Sequence, residues 1–190
     1  IGQTGSDHGE SNNTGDILET ALLLGRWGYA DCFQDAERIL RCHLLPSQLR
    51  DTSFIIAPSN PENVDGLRDL PARIVGAFGF PAPYGHQSIQ RGRAGGISFN
   101  LDIVGGVAGS LCEAHRAIIR RNPAGRWIDL FFDIDAPDLA VRSPYTGNGL
   151  RIIVRQSGTV FVRLPNWLSI SDVAISGYPA EPVLTNGYLL

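Results

Sequence analysis

Near Arg126 the spacing of apolar residues changes from roughly every third or fourth position to every second one. A single helix or strand cannot satisfy both periods, so the chain is read as a helical part followed by a β part. The boundary is expected at Pro123–Arg126, with residues 1–124 helical and 125–190 built of strands.

Three helices are predicted upstream. Ser11 to about Gly28 places Ile17, Leu18, Ala21, Leu22 and Leu24 on a wide apolar face, with N-cap candidates Asn12, Asn13 and Thr14 and closing glycines Gly25 and Gly28. Ala30 to Leu49 carries Phe33, Ala36, Leu40 and Leu44 on its inner face. The third carries Val107, Leu111, Cys112, His115, Ile118 and Ile119 and stops at Asn122, Pro123 and Gly125; His115 is expected to be a core histidine. Downstream, Trp127–Phe132, Leu139–Arg142, Leu150–Arg155, Thr159–Leu164 and Asp172–Ser176 read as strands of antiparallel character.

Between Arg50 and Asn100 five prolines and seven glycines interrupt regular structure. A long segment of this kind inside a folded chain is more often functional than decorative, and only a short helix within Val64–Phe78 is expected.

Composition narrows the classes of function. Hydrophobic residues at 43% and charged residues at 18% exclude a solvated, disordered chain. A net charge of −3 without a basic block gives no nucleic-acid footprint, and no apolar run reaches bilayer length. All 16 basic residues are arginine, which reflects either genome composition or a preference for the guanidinium group. Methionine is absent, position 1 included, so an internal piece of a longer polypeptide is expected. Cys32, Cys42 and Cys112 have neither disulfide nor four-ligand zinc spacing and are expected as buried free thiols. Gly92, Gly95 and Gly96 follow no strand, and neither a Gly-x-Ser-x-Gly elbow nor an HExxH motif occurs.

Four stretches carry a resemblance. They are Ile1–Gly5 leading into His8-Gly9-Glu10; Asp16–Ala21, continuing to the helix with Asp35, Glu37-Arg38 and Ser47-Gln48-Leu49; Leu101–Ile119 with Ala114-His115-Arg116; and Trp127–Phe132 with Val160–Trp167, in which Arg163-Leu164-Pro165-Asn166-Trp167 stands out. In this order they resemble glycoside hydrolase family 127, the β-L-arabinofuranosidase-like enzymes. The resemblance implies the C-terminal part of an (α/α)6 barrel followed by the start of a β-sandwich, and a carbohydrate substrate.

In that alignment Glu10 stands at the acid/base position, and Glu19 at the zinc-ligating glutamate. The family's cysteine two positions after that glutamate is Ala21 here, and its nucleophilic Cys-Cys pair falls near Asp102-Ile103. Zinc is therefore implied by the family while its cysteine ligands are missing, and no cofactor is expected. Two readings follow: a glycosidase using Glu10 and Asp102 as its pair of carboxylates, or a catalytically degenerate glycan-binding member. Asp102 also reads as a cap of the helix opened by Gly105-Gly106. His8, Tyr84, His86 and Gln87 supply the aromatic and hydrogen-bonding groups expected of a sugar pocket.

Overall fold

In a computed structural model, residues 11–48, 50–53, 56–57, 59–73, 75–78, 101–177 and 181–190 are described. They contain four α-helices, α1 (Ser11–Arg26), α2 (Asp31–Ile39), α3 (Leu70–Arg73) and α4 (Leu101–Ile118). Eight strands follow α4: β1 (Ile119–Asn122), β2 (Gly125–Ile128), β3 (Ile134–Asp135), β4 (Leu139–Arg142), β5 (Arg151–Val154), β6 (Val160–Arg163), β7 (Leu184–Thr185) and β8 (Tyr188–Leu189). The chain is thus α and β in content. No helix among the described residues is long and apolar enough to cross a membrane.

The fold divides into two compact units, each discontinuous in sequence. Unit 1 comprises Ile1–Ile17 and Ile39–Leu111; unit 2 comprises Leu18–Arg38 and Cys112–Leu190. Helices α1 and α4 each contribute their first turns to unit 1 and their last turns to unit 2.

In unit 1 the expected second helix changes pitch. After α2 ends at Ile39 the chain makes a π-helical turn over Leu40–Leu44, then a 3-10 turn over Leu45–Ser47. Pro46 has no N–H to continue an α ladder, and the Ser47 hydroxyl donates to the His43 carbonyl at 2.6 Å. Leu40, Leu44, Phe78 and Val107 are buried here. A Cβ added to Gly15 would lie 2.5 Å from Ser110 Oγ, so the absence of a side chain permits this close approach. Of the short helix expected within Val64–Phe78, one turn forms, α3, after a 3-10 turn at Asp65–Leu67.

In unit 2, α1 ends in a Schellman motif. Gly28 has φ +109°, the Tyr29 N–H donates to Leu24 O, and the Gly28 N–H donates to Gly25 O. The strands form a five-stranded sheet, β1-β2-β6-β8-β7, and a three-stranded sheet, β3-β4-β5. Neighbours are antiparallel except β2 and β6, which pair in parallel. The long segment between them, which carries the whole three-stranded sheet, removes the hairpin constraint that enforces antiparallel pairing.

Two strand expectations are corrected. Ile119 begins β1 rather than ending α4, because Asn122 Oδ1 accepts from the Ala124 and Gly125 N–H groups and builds a hairpin turn. Asp172–Ser176 is no strand: a 3-10 turn over Ile170–Asp172 precedes irregular chain, and Ile175 is exposed. The core of unit 2 is Leu18, Leu22, Phe33, Ile128, Leu130, Leu139 and Val141 with their neighbours. On β2, Trp127 stacks on Phe161 at 3.8 Å and meets the edge of Tyr188 at 4.8 Å.

Candidate functional site

Glu10, His8, Tyr84, His86 and Gln87 lie outside the described residues. Asp102 is the second residue of α4. That helix begins at Leu101, so Asp102 occupies its first turn instead of capping a helix opened by Gly105-Gly106.

Glu19 is exposed on α1, while Ala21 is buried in the apolar face. Among the described residues no group of three His, Cys, Asp or Glu side chains has the arrangement to hold a metal ion. The thiols are not the buried ones expected: Cys42 and Cys112 are exposed and Cys32 is half-buried. With an apolar Ala21 at the ligand position, this donor set does not fit the family's zinc site. His115 is likewise exposed, not core. The buried stripe of α4 runs through Val107, Ser110, Ala114, Ala117 and Ile118, and one further residue rotates His115 about 100° away from it.

The densest polar chemistry among the described residues lies inside unit 2. Asp129, directly after β2, is 0% exposed. Its carboxylate accepts from Arg120 Nε at 2.9 Å and from the Tyr188 hydroxyl at 2.6 Å. Its backbone carbonyl accepts from Arg163 Nε at 2.7 Å. Arg163, 3% exposed, donates through Nη2 to Glu37 Oε2 at 2.6 Å, and Glu37 is itself 4% exposed. Glu37 Oε2 also accepts the Phe131 N–H at 3.4 Å. One turn earlier on α2, Gln34 pairs twice with Asn166, donating to Asn166 Oδ1 at 2.7 Å and accepting its N–H at 3.0 Å.

Burial sets the electrostatics of this cluster. It pushes the Asp129 carboxyl above the ordinary aspartate range, and hydrogen bonds from Arg120 and Tyr188 offset only part of that cost. It also pushes the Tyr188 hydroxyl upward, with the Asp129 charge adding to the shift, and lowers Arg163 against the opposing pull of Glu37. Glu37, Asp129 and Arg163, oppositely charged and sealed from water, pin α2 to the ends of β2 and β6, a structural use of buried charge.

Arg126 extends the theme. Its guanidinium donates to the carbonyls of Gln156 at 2.8 Å, Gly158 at 2.7 Å and Asp138 at 3.3 Å, clamping the chain that leads into β6. An ammonium lacks this planar fork of donors, so the choice of arginine has a structural use here. Helical periodicity places Glu37 mostly outside the inner face of the second helix, and the structure corrects this: Glu37 is buried because Arg163 and the Phe131 N–H meet its carboxylate. Arg163 and Asp129 stand out only within the resembling stretches, Arg120 reads as facing away or closing the third helix, and sequence reasoning misses Arg126 and Tyr188. A signal for Asp129 was present: it is the one charge in the run Ile128-Asp129-Leu130-Phe131-Phe132.

No protein-family model, curated protein or solved structure matches this chain.

Proposed function

We propose that this chain is part of a glycoside hydrolase-like protein acting on glycans, terminal arabinofuranosides among them, in which carboxylates replace the family's thiolate. The helices then belong to the C-terminal part of an (α/α)6 barrel, and the strands begin a β-sandwich. Glu10 protonates the leaving oxygen, and Asp102 acts at the anomeric carbon as nucleophile or through a water molecule. His8, Tyr84, His86 and Gln87 bind the sugar.

One observation carries the reading: residues drawn from separate resembling stretches bond to one another. Glu37 of the second stretch meets Arg163 of the fourth, and Arg163 holds the carbonyl of Asp129. Such contacts are expected when the stretches are parts of one architecture. The starts of α1 and α4 also share unit 1. Measured by helical rise from the Gly15–Ser110 contact, Ser11 is about 6 Å along α1 and Asp102 about 12 Å along α4.

A second reading, a non-catalytic glycan-binding member, is favoured by Ala21 and by the absence of cysteine at Asp102-Ile103. Nitrophenyl furanosides and pyranosides separate the two. The enzyme releases nitrophenol from at least one of them, and Glu10→Gln suppresses the release. Glycan binding without release, unchanged in Glu10→Gln, overturns the enzyme in favour of the binder.

A further inference from the structure

The geometry points to Asn148 as a site of non-enzymatic deamidation, while Asn186, the other asparagine followed by glycine, is held in a turn that prevents the same reaction. Asn-Gly occurs twice in the sequence, at Asn148-Gly149 and Asn186-Gly187. Both asparagines are exposed, so solvent access does not distinguish them.

The reaction requires the Gly149 backbone nitrogen to bond to the Asn148 side-chain Cγ. That nitrogen loses its proton, the Asn148 Nδ2 departs as ammonia, and a cyclic imide remains. Solvent water then adds to either imide carbonyl, giving aspartate or isoaspartate. Ring closure needs the peptide after the asparagine to rotate toward its side chain, and glycine offers no Cβ to oppose it.

Asn148 has that freedom. It sits in the bend joining β4 to β5, and the hydrogen bonds that anchor the bend end before it. Asp133 accepts from the Ser143 N–H and the Thr146 hydroxyl, and the Thr146 N–H donates to Ser143 O. Nothing lies within 4 Å of where a Cβ on Gly149 would stand.

Asn186 lacks it. Asn186 and Gly187 have φ of +47° and +79°, the pair of left-handed residues of a type I′ turn, and they join the paired strands β7 and β8. Gly187 O accepts the Leu164 N–H at 2.8 Å, and Val183 and Leu190 exchange both backbone hydrogen bonds beyond the hairpin. Rotating the peptide after Asn186 would pull the Gly187 carbonyl from the Leu164 N–H and strain the hairpin that the Val183–Leu190 pair closes.

The full chain is incubated at mildly alkaline pH, folded or in urea, and then cleaved after arginine. Cleavage places Asn148 in peptide 143–151 and Asn186 in peptide 164–190. In the folded protein the amide-to-acid mass gain appears in peptide 143–151 several-fold faster than at Asn186, whereas in urea the two rates converge. Asn148→Gln abolishes the gain in its own peptide. Equal rates at both sites in the folded protein, or conversion of Asn148 only in urea, overturns the assignment.

Discussion

The two units satisfy their polar groups by different means. In unit 1 the buried polar residues named among the described ones are hydroxyls, Ser47 and Ser110, and uncharged groups make the hydrogen bonds of Asn60 with Val64 and of Gln48 with the Gly76 carbonyl. In unit 2 full charges are buried: Glu37, Arg126, Asp129 and Arg163. Where elements far apart in sequence must be held together, as helix α2 and the end of β6 are by Glu37 and Arg163, unit 2 uses charged donors and acceptors that penalise any other alignment.

That contrast is most strongly challenged at Glu37. Glu37→Ala leaves the Arg163 guanidinium buried without its carboxylate, and a loss of about 3–5 kcal/mol is expected. All three tryptophans lie in unit 2, so their fluorescence during urea unfolding reads that unit directly. Replacing Glu37 and Arg163 together with methionine restores most of the stability, since neither charge is then stranded. A single variant as stable as wild type contradicts the role of the pair.

Arg126→Lys ranks next. An ammonium cannot reach all three carbonyls that Arg126 serves, and orphaned carbonyls give an expected cost of roughly 1–3 kcal/mol by the same fluorescence measurement. The counterpart in unit 1 is smaller. Thr14 Oγ1 and His43 Nδ1 lie 3.2 Å apart in a half-buried contact, and Thr14→Val should cost about 0.5–1.5 kcal/mol. Hydrogen exchange of α1 amides reads this loss, and an effect matching that of Glu37→Ala would erase the contrast between the units.

The smallest effect concerns pH and separates the inside of unit 2 from its rim. Arg155 and Arg142 hold the exposed Asp135 carboxyl below the ordinary aspartate range. Its contribution is complete above that range and is lost as pH falls through the depressed value. Asp129 has the opposite sign, because the folded protein takes up its proton before the unfolded chain does. Asp135→Asn therefore makes the acid-side decline in urea midpoint shallower, by an amount that shrinks further in high salt. An unchanged slope at low salt removes Asp135 from the account.

Much of the local structure was legible in the sequence. The length of α1 and its closing Gly28 follow from an apolar stripe and a glycine in the left-handed region, and β4 matches its expected limits at Leu139–Arg142. Pairing and junctions were less legible. Ile118 and Ile119 satisfy both a helical stripe and a strand, so only the Asn122 turn decides where α4 ends. The parallel pairing of β2 with β6 is set by a distant connection, and Asp172–Ser176 alternates without a partner strand. Of the candidate site, the structure describes the helical position of Asp102 and the exposure of Glu19. The interior charges were hidden because an isolated Asp or Arg declares its partner only once the strands are in register.

Turnover of a nitrophenyl arabinofuranoside by the protein and its Asp102→Asn variant tests the functional account most directly. A fall of orders of magnitude in kcat, with the tryptophan fluorescence and urea midpoint of wild type retained, is the predicted result. Wild-type turnover in Asp102→Asn would contradict a carboxylate mechanism at the start of α4.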